Sequence, residues 1–209
     1  MSHAVIVAPG ASGIVVPQVN GGTQPDLLGG IANADADIPF AIEVGGVEYA
    51  TGTVRNRIVR SFNLGTLIVR PTIRNLSVNP GATVFIESLT FEGFNGFTTD
   101  IFTNTDGLGT FAIDTADRSA DGENVTLNFS GFDLSDSTLP LAILTNATDF
   151  GPGGEVVLAG TVTPTGSQAQ AFTTRITGFD QPINPVPLPA SALLLLGGLA
   201  ALTVARKRR

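Results

Sequence analysis

The chain alternates between apolar and polar residues at a period of two over most of its length. Residues 123–129 give the cleanest case: Val125, Leu127 and Phe129 fall on one side, and Asn124, Thr126 and Asn128 on the other. Ile38-Pro-Phe-Ala-Ile-Glu-Val44, then Gly45-Gly46, then Val47-Glu-Tyr-Ala-Thr51 predicts a two-residue hairpin. In it, Phe40, Ile42 and Val44 share a face with Val47, Tyr49 and Thr51. Further strands are predicted over residues 4–8, 13–19, 63–69, 73–78, 83–91, 110–114, 139–144, 155–162 and 171–179, with Pro71 forcing an edge, bulge or break. Turn signals separate them at Asn79-Pro-Gly81, Asn95-Gly96, Asp106-Gly107, Asp121-Gly122 and Gly151-Pro-Gly-Gly154, where Gly and Asn tolerate positive φ. No amphipathic helix of three turns precedes residue 190. Many short strands with frequent turns predict an all-β fold, an antiparallel β-sandwich, followed by a C-terminal hydrophobic helix.

The organisation read from this pattern has four parts. Residues 1–37 form an irregular N-terminal segment with short strands, including the polar stretch Asn33-Ala-Asp-Ala-Asp37. Residues 38–179 form the sandwich, 180–185 a proline-containing linker, and 186–209 a tail of different character. The tail runs Val186-Pro187-Leu188-Pro189-Ala190, then an uncharged apolar stretch to Ala205, then Arg206-Lys207-Arg208-Arg209. As a helix, residues 190–205 are about 24 Å long, somewhat under the roughly 30 Å of bilayer hydrocarbon. The basic tetrad is expected on the cytoplasmic side, with everything before Val186 outside the cytoplasm. Pro187 and Pro189 keep the preceding segment extended, as a peptide-reading enzyme requires.

Motif, apolar length and basic stop together resemble the sorting signal of the PEP-CTERM class, most closely its VPLPA variant. The resemblance is confined to residues 186–209. It implies recognition by an exosortase, a membrane-embedded cysteine protease or transpeptidase. It also implies an inner-membrane-tethered precursor that passes to the cell envelope or an exopolysaccharide matrix. The N-terminus does not fit export as it stands. Residues 1–13 lack a basic n-region, and their apolar stretch is broken by Pro9 and Gly10, so a true start upstream of Met1 is expected.

Charge narrows the partners. Of 11 basic residues, four lie in the tail, so 18 acidic residues dominate the rest of the chain. Such a surface is not expected to bind nucleic acid. No cysteine is present, which excludes disulfides and thiolate chemistry. The one histidine is His3, so a Ser-His-Asp hydrolase has no imidazole in its body.

Three constellations remain. Asp114, Asp117, Asp121 and Glu123 crowd into ten residues and suggest a calcium loop, although the spacing is not that of an EF-hand; a solvated acidic loop is the plainer reading. In the hairpin, Glu43 is predicted opposite Glu48, and such like-charged pairs repel. Arg55 or Arg57 is expected to reach that face. The arginines at 55, 57, 60, 70 and 74 also form a basic strip that suits anionic polysaccharide. Phe91, Phe94 and Phe97 read as core anchors more than a sugar platform. The function expected is a non-enzymatic, structural or adhesive protein of the envelope or exopolysaccharide matrix. The alternatives are a calcium- or glycan-binding module and, lastly, a hydrolase built on a carboxylate pair.

Overall fold

A computed structural model describes residues 4–20, 30–106, 109–133 and 137–183. The sorting motif Val186–Ala190, the apolar stretch and the basic stop Arg206–Arg209 lie outside the described residues. Among those described there is no helix. The strands in chain order are β1 (Val5–Ile6), β2 (Ile14–Val15), β3 (Gln18–Val19), β4 (Gly30–Val44), β5 (Val47–Ser61), β6 (Leu67–Val69) and β7 (Thr72–Val78). Then come β8 (Ala82–Phe91), β9 (Thr99–Asn104), β10 (Thr115–Arg118), β11 (Val125–Asp133), β12 (Leu141–Thr145), β13 (Asp149–Pro164) and β14 (Gln170–Ile183).

They form two sheets. The first runs β1-β9-β12-β6-β5-β4, with β3 added to β9 and β7 to β5; the second runs β14-β13-β8-β11-β10-β2. Pairing is antiparallel except between β3 and β9 and at the isolated Phe111–Thr138 bridge. The N-terminal strands alternate between the sheets: β1 and β3 join the first, and β2 joins the second through β10. This lacing ties the sheets together at one end.

The main core lies between the sheets. The first sheet contributes Ile42, Val54, Ile73, Ile101 and Ile143; the second contributes Leu89, Leu127, Phe132, Val156 and Leu158, all buried. Val125, Leu127 and Phe129 point inward as their alternation predicts. Fully burying one such side chain is worth about 1.5–3 kcal/mol relative to exposure, so this layer supplies the main driving force for the fold.

The 38–51 hairpin forms with Gly45 and Gly46 at φ 60° and 80°, both in the left-handed region that a two-residue turn of this hand demands. Val44 pairs with Val47 and Glu43 with Glu48. The predicted face then fails beyond the turn. Ile42 pairs with Ala50, so Tyr49 is an extra residue on β5, and the inward set becomes Ala50, Gly52 and Val54 rather than Tyr49 and Thr51. A one-residue bulge moves every later side chain to the opposite face. The Tyr49 carbonyl is used instead by the Asn79 backbone N–H, at 2.8 Å.

Two stretches that the alternation does not assign to strands are strand. Asn33–Asp37 continues β4, because Asp35 and Asp37 lie on its exposed side where arginines of neighbouring strands meet them. Residues 99–104, which lack a clean alternation, form β9; Ile101, Phe102 and Thr103 are all buried because both faces of this strand are covered. Pro71 occupies the break between β6 and β7, and Pro39 sits on β4, an edge strand, where the missing N–H breaks no ladder.

Candidate functional site

The acidic segment is divided by the fold. Thr115–Arg118 is strand β10, and the carboxylates on and around it serve separate partners. Asp117 accepts hydrogen bonds from the Ser12 hydroxyl (2.7 Å), the Gly13 backbone N–H (2.5 Å) and the Asn128 amide (2.6 Å). Asp121 closes its own turn, accepting from the Ser119 hydroxyl at 2.5 Å and the Glu123 N–H at 3.0 Å. Glu123 accepts from the Gly93 N–H at 3.0 Å, and Asp114 from the Ser130 N–H. Among the described residues, no three of His, Cys, Asp or Glu come together as a group able to hold a metal. The four carboxylates act as acceptors that pin loops to strands.

This arrangement has a pH signature. Burial pushes the Asp117 carboxyl upward, but the donors from Gly13, Ser12 and Asn128 outweigh it and hold the group below the usual aspartate range. A carboxylate with a depressed folded pKa contributes stability that is complete above its unfolded value, about 3.9, and is lost as pH falls through the folded one. Asp117→Ala is therefore expected to unfold at lower urea than wild type near neutral pH. The gap should narrow as pH falls through the depressed pKa of the folded-state carboxyl. A gap independent of pH would show that the carboxylate charge contributes nothing.

Arg118 is the other consequence of this strand. It is 5% exposed and faces no carboxylate among its hydrogen-bond partners. Its guanidinium donates to the carbonyls of Phe94 (2.9 Å), Phe97 (2.7 Å), Val7 (3.2 Å) and Gly122 (3.1 Å), and to the Thr99 hydroxyl (3.2 Å). One side chain thus joins β1, the 94–97 loop, β9 and the turn after β10. Burial lowers its pKa, yet an arginine remains charged. The sequence shows Arg118 as a lone cation within an acidic run, and no local pattern marks it as buried.

Arg55 and Arg57 do not approach Glu43 and Glu48. Arg55 forms a two-pronged ion pair with Asp35, and Arg74 pairs likewise with Asp37. Arg55 lies seven residues along β5 from Glu48, about 23 Å at a strand's rise per residue and well beyond a Debye length of about 8 Å. Glu43 and Glu48 are exposed, so solvent screens their repulsion. The strip's charge is thus partly consumed within the first sheet. Arg55, Arg57 and Arg70 line a notch of about 50 Å³ with Thr72 and Pro140.

Phe91, Phe94 and Phe97 are buried, as core anchors should be. An exposed aromatic ring lies elsewhere: Phe62, 68% exposed, projects from the turn between β5 and β6. Beside this turn is a cleft of about 280 Å³ on the face of the first sheet that points away from the main core. Leu64, Ile68 and Leu144 give it an apolar lining, and Thr66, Thr98, Asp100 and Asn146 add polar groups. Asp100 and Leu144 are cross-strand partners, as are Leu144 and Ile68, so one row across β9, β12 and β6 forms the floor. Burial raises the Asp100 pKa.

Comparison with known proteins adds no relative: no family model matches the chain, and no curated protein or solved structure matches it significantly.

Proposed function

We propose that this chain is an exported, exosortase-sorted protein with a structural or adhesive, non-enzymatic role in the cell envelope or exopolysaccharide matrix. The observation that carries the reading is the order of signals in the tail: Val186-Pro-Leu-Pro-Ala190, an uncharged apolar stretch to Ala205, and Arg206-Lys-Arg-Arg209. In this reading residues 190–205 form a membrane-embedded helix, and the β-sandwich-like body is held outside the cytoplasm until an exosortase acts at the motif. An acidic body without cysteine is consistent with such a place, since like charge keeps exported domains soluble and apart.

Intact-mass measurement of the envelope-associated protein, from cells with and without the exosortase, tests it. The expected result is a mature mass lacking the basic stop and apolar stretch only when the exosortase is present. A tail retained in both backgrounds, or a full-length protein dissolved in the cytoplasm, overturns the reading.

A further inference from the structure

We propose that the cleft at Asp100 binds a neutral pyranose unit of a polysaccharide, with the Asp100 carboxylate accepting from sugar hydroxyls and the apolar floor meeting the ring's C–H face. The proposal gives a ligand class to the adhesive role above. It stands on the cleft and not on the tail, so the purified chain is expected to bind whether or not an exosortase ever acts on it.

The Asp100 carboxylate accepts no hydrogen bond and joins no ion pair among the described residues, although burial already disfavours its charge. A partly buried carboxylate without donors is costly, and a ligand offering two adjacent hydroxyls satisfies both its oxygens at once. The neighbouring groups suit the same ligand. The Asn146 carbonyl is already engaged by the Thr98 N–H at 2.9 Å, which leaves its amide hydrogens to donate to a ring or hydroxyl oxygen. Ile68 and Leu144 supply a flat apolar floor between these polar groups. Apolar lining with a few convergent polar groups is the composition of small-molecule sites, and about 280 Å³ is at the lower end of their size range.

The rim is held ready. The Ser61–Thr66 turn is closed by the Ser61 N–H to the Thr66 carbonyl (2.8 Å), the Gly65 N–H to the Ser61 carbonyl (3.0 Å) and the Leu64 N–H to the Ser61 hydroxyl (3.0 Å). Arg60 braces it from below, donating to the carbonyls of Gly65 (2.8 Å) and Thr148 (2.7 Å). Phe62 and Leu64 are therefore displayed at 68% and 70% exposure on a braced turn. The backbone of the turn therefore needs no further ordering on binding. Leu64 lines the cleft and extends its apolar surface beside the Asp100 carboxylate, which matches the amphipathic surface of a pyranose.

Charge selects the neutral form. Among the described residues no lysine or arginine lines the cleft, and the body as a whole is acidic, so uronate or sulfated units are repelled. An ammonium group would satisfy Asp100 alone and leave the threonine and asparagine groups unmatched.

Saturation-transfer difference NMR on the purified full-length chain tests this, with the methyl α- and β-glycosides of glucose, galactose and mannose as probes. At least one of them is expected to bind with a dissociation constant near about 1 mM, with saturation strongest on the C–H protons of one ring face. Asp100→Ala and Leu64→Ser are each expected to weaken that binding about tenfold or more. Both positions lie outside the main core, and unchanged thermal unfolding would confirm that the variants fold. Asp100→Asn, which keeps the shape and removes the charge, should fall between wild type and alanine. The proposal is overturned if none of these sugars receives saturation, if the signal survives in Asp100→Ala, or if lysine methyl ester occupies the cleft where the sugars do not.

Discussion

Arg118→Met is expected to lower the unfolding free energy by about 4 kcal/mol, read as a fall in the urea midpoint with an unchanged slope. Methionine fills much of the same space, so the loss reports hydrogen bonding more than packing. Five acceptors receive from this guanidinium: the carbonyls of Val7, Phe94, Phe97 and Gly122 and the Thr99 hydroxyl; the Val7 and Phe94 carbonyls also accept from the Thr99 hydroxyl and the Phe97 N–H. Leaving a buried acceptor unmatched costs about 1–3 kcal/mol, and part of the set will find water at the end of the sandwich. Arg118→Lys is expected to recover only a minority of the loss. An ammonium is a compact donor and cannot fan out to acceptors from four separate segments. A methionine variant within about 1 kcal/mol of wild type would mean that these segments hold together without their common donor.

The second large effect is expected at Gly160. Gly160→Ala should cost about 3 kcal/mol, at the upper end of ordinary overpacking, and Gly160→Val more. The reason lies in a bulge. On β8, Val84 and Ile86 point inward, and so do Leu89 and Phe91, although their spacing differs by an odd number of residues. Both neighbouring strands register the slip: Ala159 pairs with Ser88 while Gly160 pairs with Ile86, so Glu87 is extra. At this point the strands approach so closely that a Cβ on Gly160 would lie 2.0 Å from the Phe85 carbonyl oxygen and 3.0 Å from Phe172. Backbone must move to accept it, and β13 is held by β14 on one side and β8 on the other. Gly166→Ala provides the contrast. Gly166 has φ 78° and nothing within 4 Å of its absent Cβ, so only the left-handed penalty applies, about 1–2 kcal/mol. If the two substitutions cost the same in denaturant titrations, close approach at the bulge is not what keeps residue 160 a glycine.

Much of the β architecture was legible because alternation is local. The Gly45-Gly46 turn, the Glu43–Glu48 pairing and the inward Val125, Leu127 and Phe129 all follow from residues a few positions apart. Strand β9 was not legible, because it is buried on both faces and its side chains carry no two-residue rhythm. The Asn33–Asp37 stretch misleads for a related reason. Its polar residues read as a loop until Arg55 and Arg74 are brought alongside from other strands. Bulges at Tyr49 and Glu87 also defeat a local reading, since one extra residue reverses every face beyond it.

The candidate sites divide the same way. A dense acidic run suggested shared ligation at Asp114, Asp117, Asp121 and Glu123. In the fold, Ser130, Asn128 with Gly13, Ser119 and Gly93 each draw one of these carboxylates elsewhere. Conversely, nothing near Asp100 or Leu64 in the chain marks them, because the cleft is assembled from β6, β9, β12 and two turns.

By itself the sequence determined an all-β body, the hairpin at Gly45-Gly46 and the tail's order of proline motif, apolar stretch and basic stop. Periodicity, turn chemistry and hydrophobic length need only neighbours along the chain. Tertiary structure alone decided the phase of each strand after its bulge, the burial of Arg118, and which carboxylates are satisfied and which is left open at Asp100. Those outcomes depend on donors and acceptors many residues apart, and no local pattern encodes which of them will meet.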